Sequence, residues 1–156
     1  MCGLIASGKS TWARKKAKEE PTTLIICKDN LREMIKAEYV FDYMYEDFIE
    51  SVDCFAFRKA LQRGFDVIVD ETNITKSKRA FWVNKVNEYN AWFDDEVRIE
   101  LVYFTSKEGN VARRMSNHRG YTEERWQMVY DGMLKTFEEP SIDELPKGSS
   151  LTTVSI

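Results

Sequence analysis

Residues 3 to 11 read Gly3-Leu-Ile-Ala-Ser-Gly8-Lys9-Ser10-Thr11, and this stretch decides the fold class of the 156-residue chain. It fits the pattern G-x-x-x-x-G-K-[ST]. Glycines let such a loop turn its backbone N–H groups inward around an anion, and the helix that follows presents its positive N-terminal end to the same anion. The pattern therefore predicts a phosphate-binding loop, with a chance glycine-containing loop as the alternative.

The loop also supplies a cation and a metal ligand. Lys9 is expected to neutralise the β and γ phosphates of a nucleotide, and the Ser10 hydroxyl is expected to bind Mg²⁺, which prefers oxygen ligands. We therefore expect ATP and Mg²⁺ as cofactors, and we find no base-reading N-K-x-D motif of the kind that GTPase switches carry. The predicted ATP contacts in the loop are Gly3, Ser7, Gly8, Lys9, Ser10 and Thr11.

Outward from the loop, short apolar segments alternate with longer helical ones. Strands are predicted at residues 23–27, 65–69, 97–104 and 151–156, and helices at residues 10–20, 30–37, 47–63, 76–90, 107–117 and 122–137. Apolar strands separated by helices pair in parallel through right-handed crossovers. This predicts a three-layer α/β P-loop kinase fold with a central parallel sheet and a helical lid at about residues 107–125, in a single domain spanning residues 1–156.

The start of the chain conflicts with this fold. A phosphate loop normally leaves the end of a central strand, and here only Met1 and Cys2 precede Gly3. We therefore expect a truncated first strand, with the loop supported by residues upstream of this numbering or by an unusual neighbour.

The composition limits the cellular location and the kinds of partner that are expected. No stretch approaches the roughly 18 apolar residues of a membrane span, and the N-terminus lacks the layout of a signal peptide, so a cytoplasmic protein without a membrane partner is expected. Three scattered cysteines and a single histidine predict buried free thiols and no zinc site. A net charge of −3 argues against a protein that coats long nucleic acid. Homo-oligomerisation stays open.

An acidic residue that follows the first predicted strand suggests how a phosphoryl group could be transferred to an acceptor hydroxyl. Asp29 follows the strand at residues 23–27, and transfer of a phosphoryl group to a hydroxyl needs a base near the acceptor. Arg32 lies three residues on, on the same helix face, where a guanidinium can act together with the carboxylate. The alternative is that Asp29 or Asn30 only caps a helix.

These segments carry a family resemblance. Gly-Lys-Ser-Thr-Trp-Ala at residues 8–13, Lys-Asp-Asn-Leu-Arg at residues 28–32 and Asp-Glu-Thr-Asn at residues 70–73 resemble the phage-type polynucleotide 5′-kinases, over the loop to about Pro140. The resemblance implies that Asp29 is the general base for a 5′-hydroxyl and that Arg32 contacts the adjoining 3′-phosphate.

The segment at residues 70–73 is expected to serve the metal and the acceptor. Asp70 ends the strand at residues 65–69 and is the first choice for the second metal-side carboxylate, with Glu71 as a competitor because the spacing to Thr72 is ambiguous. Thr72 and Asn73 are predicted to bind the acceptor, or else to form a turn before the next helix.

Arginines and aromatic residues complete the predicted site. By the resemblance, Arg113, Arg114 and Arg119 form a basic lid beside Gly120, with Arg119 as the transition-state arginine and the other two as ATP contacts. The aromatic run at residues 39–45 is a candidate for stacking on a base, Tyr39 first, or else for packing. Another basic group is expected either to guide a phosphate backbone or to form a solvated face: Lys76, Lys78 and Arg79.

The resulting expectation is a kinase that transfers the γ-phosphoryl group of ATP to the 5′-hydroxyl end of DNA or RNA. Two alternatives remain, because a fold and a loop do not fix the acceptor. One is a P-loop kinase for a small molecule such as a nucleoside, sugar or antibiotic, and the other is a non-catalytic nucleotide-binding regulatory module. No D-x-D-G-T run occurs, so no 3′-phosphatase activity is expected.

Overall fold

The structure is a computed structural model that describes residues 1–39, 41–94 and 96–155. Helices and strands alternate along the chain. The helices are α1 (Lys9–Glu19), α2 (Lys28–Lys36), α3 (Tyr43–Gln62), α4 (Lys76–Phe93), α5 (Asn110–Met115) and α6 (Glu123–Thr136), with a 3₁₀ turn at Ile142–Glu144. The strands are β1 (Thr23–Ile26), β2 (Asp66–Val69), β3 (Glu100–Phe104) and β4 (Ser150–Val154).

The chain divides into two compact units. Unit 1 comprises Met1–Lys9 and Thr72–Ile156, and unit 2 comprises Ser10–Glu71. Each unit contains a pair of strands that run in parallel, β3 with β4 in unit 1 and β1 with β2 in unit 2. The predicted α/β class with parallel strands is thus confirmed, and the single-domain organisation stays a prediction.

In unit 2 the two strands are aligned residue for residue, from Thr23 opposite Asp66 to Ile26 opposite Val69. The ladder continues past β2, where the Asp70 amide donates to the Ile26 carbonyl at 2.8 Å. Both strands therefore end at one edge, and the residues that follow them lie at that edge. An apolar strand in a parallel sheet is expected to be buried on both faces, and β1 departs from this expectation because Leu24 is 40% exposed.

In unit 1 the residue before the loop does join a sheet. Cys2 forms a single parallel bridge with Tyr103 of β3: its amide donates to the Val102 carbonyl at 2.8 Å, and its carbonyl accepts from the Phe104 amide at 2.9 Å. On the other side the Gly3 amide donates to the Thr72 carbonyl at 2.9 Å. The unusual neighbour that supports the loop is therefore the segment after β2.

Apolar loop residues anchor the core of unit 1. Leu4 and Ile5 pack with Ile74, Trp126 and Tyr130 in one buried cluster, to which Val111 of α5 also belongs. The variable positions of the glycine pattern thus contribute buried apolar area, and residues of the predicted lid region pack into the same core as the phosphate loop.

Several predicted boundaries move for local reasons. Helix α2 begins at Lys28 with Cys27 at its N-cap, so Asp29 lies in the first turn and the capping alternative is wrong. Helix α3 begins at Tyr43, four residues earlier than expected, because the Asp42 side chain accepts from the Met44 amide at 3.0 Å. Part of the aromatic run at 39–45 is therefore helical; its Val40 lies outside the described residues.

Three further differences concern the second half of the chain. Strand β3 begins at residue 100 because the Asn90 side-chain amide pairs with both backbone groups of Val97, at 3.0 Å each, and holds that residue outside the sheet. The predicted helix at 107–117 shortens to Asn110–Met115. Strand β4 ends at Val154, and Ile156 lies outside the described residues.

Cys2, Cys27 and Cys54 are free thiols, but the prediction that they are buried holds for Cys2 alone, because Cys27 and Cys54 are half-buried. Among the described residues, no helix has the length and apolar character needed to cross a membrane.

Candidate active site

The phosphate loop has the backbone that its glycines predict. Gly3 has a φ of 151° and Gly8 a φ of 92°, and Ala6 between them also lies in the left-handed region at 48°. A Cβ atom on Gly3 would lie 2.9 Å from the Ser7 hydroxyl and 3.0 Å from two Phe104 atoms. Only glycine fits at this position, because both the backbone conformation and the available space exclude a side chain.

Lys9 lies inside the loop and not in solvent. It is 6% exposed, and its ammonium group donates to the Gly3 carbonyl at 2.9 Å, the Leu4 carbonyl at 2.6 Å and the Ser7 hydroxyl at 3.3 Å. Three acceptors match the three donors of a lysine ammonium. The loop thus holds a desolvated positive charge at the N-terminus of α1, which is where an anionic phosphate is favoured.

Arg113 lies beside the same loop. Its Nε donates to the Ala6 carbonyl at 3.1 Å, and its Nη2 donates to the Ser106 hydroxyl at 2.6 Å and to Asn110. The Asn110 side chain is fully enclosed and also donates to the Ser106 carbonyl at 3.0 Å. An exposed guanidinium is therefore held next to the loop backbone by two polar side chains of the predicted lid region.

The other two predicted lid arginines are placed differently. The Arg114 guanidinium lies over the Trp126 ring, 4.3 Å from its centroid, in a cation–π contact. Arg119 is half-buried with a φ of 51°, directly before Gly120 at 79°. The roles of Arg114 in ATP binding and of Arg119 in the transition state stay predictions.

The segment after β2 is engaged with the chain start. Asn73 is 4% exposed with a φ of 43°, and its side-chain amide donates to the Met1 carbonyl at 3.0 Å. Thr75 caps α4 by accepting from the Lys78 amide. These contacts favour the turn interpretation for Asn73, while acceptor binding by Asn73 and by the half-buried Thr72 stays a prediction.

In unit 2, Asp29 and Arg32 meet as their spacing predicts. Arg32 Nη1 donates to Asp29 at 2.6 Å, and two further guanidinium donors reach both oxygens of Glu46, at 2.8 and 2.6 Å. Burial lowers the pKa of Arg32, but the hydrogen bonds with Glu46 and the charge of Asp29 outweigh burial and raise it above its ordinary value. Arg32 is thus a fixed cation that orients Asp29.

Aromatic side chains surround this arginine. The Arg32 guanidinium lies over the Phe41 ring at 5.2 Å, and Phe41 meets Tyr43 edge-on with ring centroids 5.2 Å apart. Tyr39 is half-buried and acts electrostatically on Arg32. Tyr43 is 84% exposed. One part of the predicted aromatic run therefore packs on the acceptor-side arginine, and another part faces solvent.

Asp70 and Asp29 both lie near the Cys27 thiol. Burial, and then the charges of these two aspartates, raise the pKa of Cys27 to about 11. The two carboxylates that follow β1 and β2 are therefore neighbours at the carboxyl edge of this strand pair, the edge at which ligands bind in open α/β sheets.

A fully buried carboxyl group, Asp53 of α3, was not predicted. It is 0% exposed, and its carboxylate oxygens accept no hydrogen bond from the described residues. Burial and the adjacent carboxylate of Glu71 raise the pKa of Asp53 to about 7, since two carboxylates side by side are costly unless they share a proton. Lys28 stabilises the cluster from 3.8 Å at Glu71 and 3.1 Å at Glu50.

Magnesium would find oxygen donors of the right type. Ser10 is half-buried in the first turn of α1, with Thr11 exposed beside it, and Asp70 is half-buried after β2. Within the described residues no cluster of three or more acidic, cysteine or histidine side chains could hold a metal by itself. The donors fit an ion bound largely through phosphate and water, as Mg²⁺ prefers.

Asp53 and Glu46 were not predicted from the sequence, and they differ in whether the sequence contains a signal for them. Asp53 lies four residues after Ile49 and four before Phe57, both buried, so a carboxyl on the apolar face of a helix was a readable signal. Glu46 lies 14 residues from Arg32, and no local pattern connects the two.

A glycine loop at the start of a helix, together with parallel strands joined by helices, defines a P-loop α/β protein. The chain belongs to the family whose model, AAA_33, is described as an AAA domain and matches residues 1–140.

The chain is similar to one kinase in sequence and to another in fold. The chain is 34% identical over 92 residues to the L-seryl-tRNA(Sec) kinase of Methanococcus maripaludis, a match that covers 56% of this chain and 35% of that protein. It therefore spans about a third of the length of this relative. The crystal structure of a gluconokinase from Sinorhizobium meliloti 1021 is similar at a TM-score of 0.51 and 16% identity, covering 99% of this chain and 79% of the other. This likeness concerns the fold alone.

Proposed function

We propose that this chain is an ATP-dependent phosphotransferase that moves the γ-phosphoryl group to an alcohol hydroxyl. The observation that carries the proposal is the ion-paired Asp29, which Arg32 and Glu46 orient at the end of β1. A carboxylate fixed in this way suits a general base for a hydroxyl. The name of the sequence relative, an L-seryl-tRNA(Sec) kinase, supports the same reaction class.

The chain's own residues divide the remaining work. Lys9 and the loop amides would bind and neutralise the β and γ phosphates, and Arg113 would add charge beside the loop. Ser10 and Asp70 would hold Mg²⁺, whose chemistry is to screen the phosphate charges. Asp70 suits this task better than Glu71, because Glu71 is engaged with Lys28 and Asp53.

The acceptor that we propose is a small molecule with a hydroxyl group and without a phosphate. Three of the five guanidinium donors of Arg32 already bind carboxylates, and its side chain is 10% exposed, so little of this arginine is left for an acceptor phosphate. Carboxylates also outnumber cations among the described residues at this edge of unit 2. The acidic members are Asp29, Glu46, Glu50, Asp70 and Glu71; the basic ones are Lys28 and Arg32. Such an edge repels a polyanion.

A second candidate acceptor is the 5′-hydroxyl end of DNA or RNA. The motifs at residues 28–32 and 70–73 favour it by resemblance. The specific structural observation is the exposed Tyr43 ring beside Phe41 and Arg32, because an exposed aromatic group can stack on an unpaired base.

Transfer of label from γ-labelled ATP tests both candidates. The acceptors would be a panel of sugars, nucleosides, hydroxyl-bearing antibiotics and L-serine, next to a 5′-hydroxyl oligonucleotide. Labelling within the small-molecule panel with none on the oligonucleotide is the expected result, and the reverse would establish the second candidate. ATP binding without transfer to any acceptor would instead indicate a non-catalytic nucleotide-binding module.

A further inference from the structure

Arg79 of α4 is one of the most enclosed charged side chains among the described residues, at 3% exposure. Its guanidinium donates to both oxygens of Glu144, at 2.5 and 2.8 Å, and to the carbonyls of Asn73 at 3.1 Å and Glu138 at 2.9 Å. It also lies 3.8 Å from the Cys2 sulfur. The expectation that Arg79 faces solvent or a phosphate backbone is therefore wrong.

A buried ion pair of this kind contributes little to stability by itself. The cost of removing two charges from water is often as large as their attraction, and apolar side chains of similar volume frequently do as well. What a bidentate guanidinium does supply is geometry, because its donors have fixed directions. The main contribution of Arg79 is therefore to fix the positions of the segments to which it is hydrogen-bonded.

Those segments lead directly to the phosphate loop. Asn73, whose carbonyl Arg79 binds, reaches Met1 through its side chain, and the preceding Thr72 carbonyl accepts from the Gly3 amide. Cys2, which Arg79 also contacts, bridges to Tyr103 of β3 directly before the loop. Both backbone connections at the first glycine of the loop are therefore adjacent to one guanidinium.

The loop has little room to absorb a displacement. Gly3 is so closely packed against Ser7 and Phe104 that even a methyl group would overlap them, and its carbonyl accepts from Lys9. A shift of a few tenths of an ångström at Gly3 would thus move an acceptor of the Lys9 ammonium, the group that we expect to meet the phosphates.

We propose that Arg79 and Glu144 form a positioning pair for the phosphate loop. They hold the segments on both sides of Gly3 and so set the loop conformation that binds the triphosphate, without touching the nucleotide. The inference rests on the proposed use of ATP.

The first test is Arg79→Lys, studied at a temperature where the variant is folded. Lysine keeps the charge but has three donors where Arg79 uses four, and it cannot bind both Glu144 oxygens in the planar bidentate geometry of a guanidinium. We expect ATP affinity to fall about tenfold, as for the loss of one hydrogen bond to a charged group, with the KM for the acceptor unchanged. Hydrogen exchange should accelerate in residues 1–9 and stay constant in α3. Lys85→Met, an exposed position on the same helix, is the matched control.

Glu144→Gln is a second test, for use if Arg79→Lys does not fold. This variant is expected to fold more readily, because Arg79 keeps its carbonyl partners. We expect a smaller loss of ATP affinity, about threefold, with the same change in exchange. A folded variant with a lower melting temperature but unchanged ATP affinity and unchanged exchange in residues 1–9 would overturn the inference and leave Arg79 a purely structural residue. If the unaltered chain binds no ATP, the proposed function fails, and the exchange measurement still decides the inference.

Discussion

The two compact units differ in whether a buried ionisable side chain has hydrogen-bond partners and an opposite charge beside it. In unit 1, Arg79 is enclosed by acceptors, and Glu144 supplies the matching charge. In unit 2, Asp53 is equally enclosed, yet its oxygens accept no hydrogen bond from the described residues, and the group beside it, Glu71, is a second carboxyl and not a cation. Buried groups without donors are rare in stable cores and mark sites of strain or function. The comparison indicates that unit 1 holds its buried arginine in a fixed position, and that unit 2 tolerates electrostatic strain close to Lys28 and Arg32.

This difference implies separable kinetic effects. Substitutions among the loop residues of unit 1 should change ATP binding, whereas substitutions of Asp29 and its ion-pair partners in unit 2 should change turnover with the acceptor.

The largest effect is expected for Asp29→Asn. Asparagine keeps the shape of the side chain but cannot accept a proton, so kcat should fall roughly 10²–10⁴-fold while ATP affinity stays constant. Steady-state kinetics and equilibrium ATP binding measure the two quantities. Glu38→Gln, an exposed nearby carboxyl, is the control. Substantial activity in Asp29→Asn would sink the base assignment, and a weakened ATP affinity would break the division between the units.

Lys9→Met should be the next most damaging change. Methionine retains the apolar stem but removes the cation from the loop, so transfer should slow by about 10²–10³-fold, with ATP binding weakened as well. Lys15→Ala on the exposed face of the same helix should leave both quantities unchanged. A Lys9→Met protein that binds ATP normally would contradict the placement of the phosphates at this loop.

Glu46→Gln tests whether the ion pair with Arg32 orients Asp29 and whether charge governs the choice of acceptor. Glutamine cannot accept two charge-assisted bonds from Arg32, so Asp29 should be less firmly oriented and kcat should fall about tenfold, with the KM for ATP unchanged. Activity on the oligonucleotide relative to the small acceptor should rise, because one negative charge is gone and Arg32 is released. Asp47→Asn, exposed on the same helix, provides the control. A lower ratio would argue against charge as the basis of acceptor choice.

The smallest effect concerns stability and pH. Asp53 keeps its proton up to a pH of about 7 in the folded chain, against an ordinary value of 3.8. The folded state therefore binds more protons than the unfolded state between these values, and the free energy of unfolding falls as pH rises through this window. Asp53→Asn removes this dependence.

Thermal unfolding at pH 5 and pH 8 measures the effect. Relative to the unaltered chain, Asp53→Asn should gain about 2 kcal/mol between the two pH values, or roughly 4–8 °C in melting temperature. Asp47→Asn should show no such gain. Parallel pH profiles for Asp53→Asn and the unaltered chain would show that the buried carboxyl is already stabilised by another group.

Local patterns predicted the parts of the site that are close in sequence. The loop at residues 3–11 and the contact between Asp29 and Arg32 follow from spacings of a few residues, because backbone geometry alone fixes which side chains share a helix face. Helix starts were less predictable. Asp42 and Cys27 compete with nearby polar residues as N-caps, and the winner depends on where the preceding strand or loop ends.

Sequence alone thus determined that this protein has a phosphate loop at the start of a helix, parallel strands, and a carboxylate–guanidinium pair after the first strand. The tertiary structure decided which distant charges meet: Glu46 with Arg32, Asp53 with Glu71, and Glu144 with Arg79. The physical reason is that the partner of a charged residue can lie anywhere along the chain, so the sequence around that residue does not identify the partner. Burial and packing bring the two together, and only then does the cost of desolvation make the pairing specific.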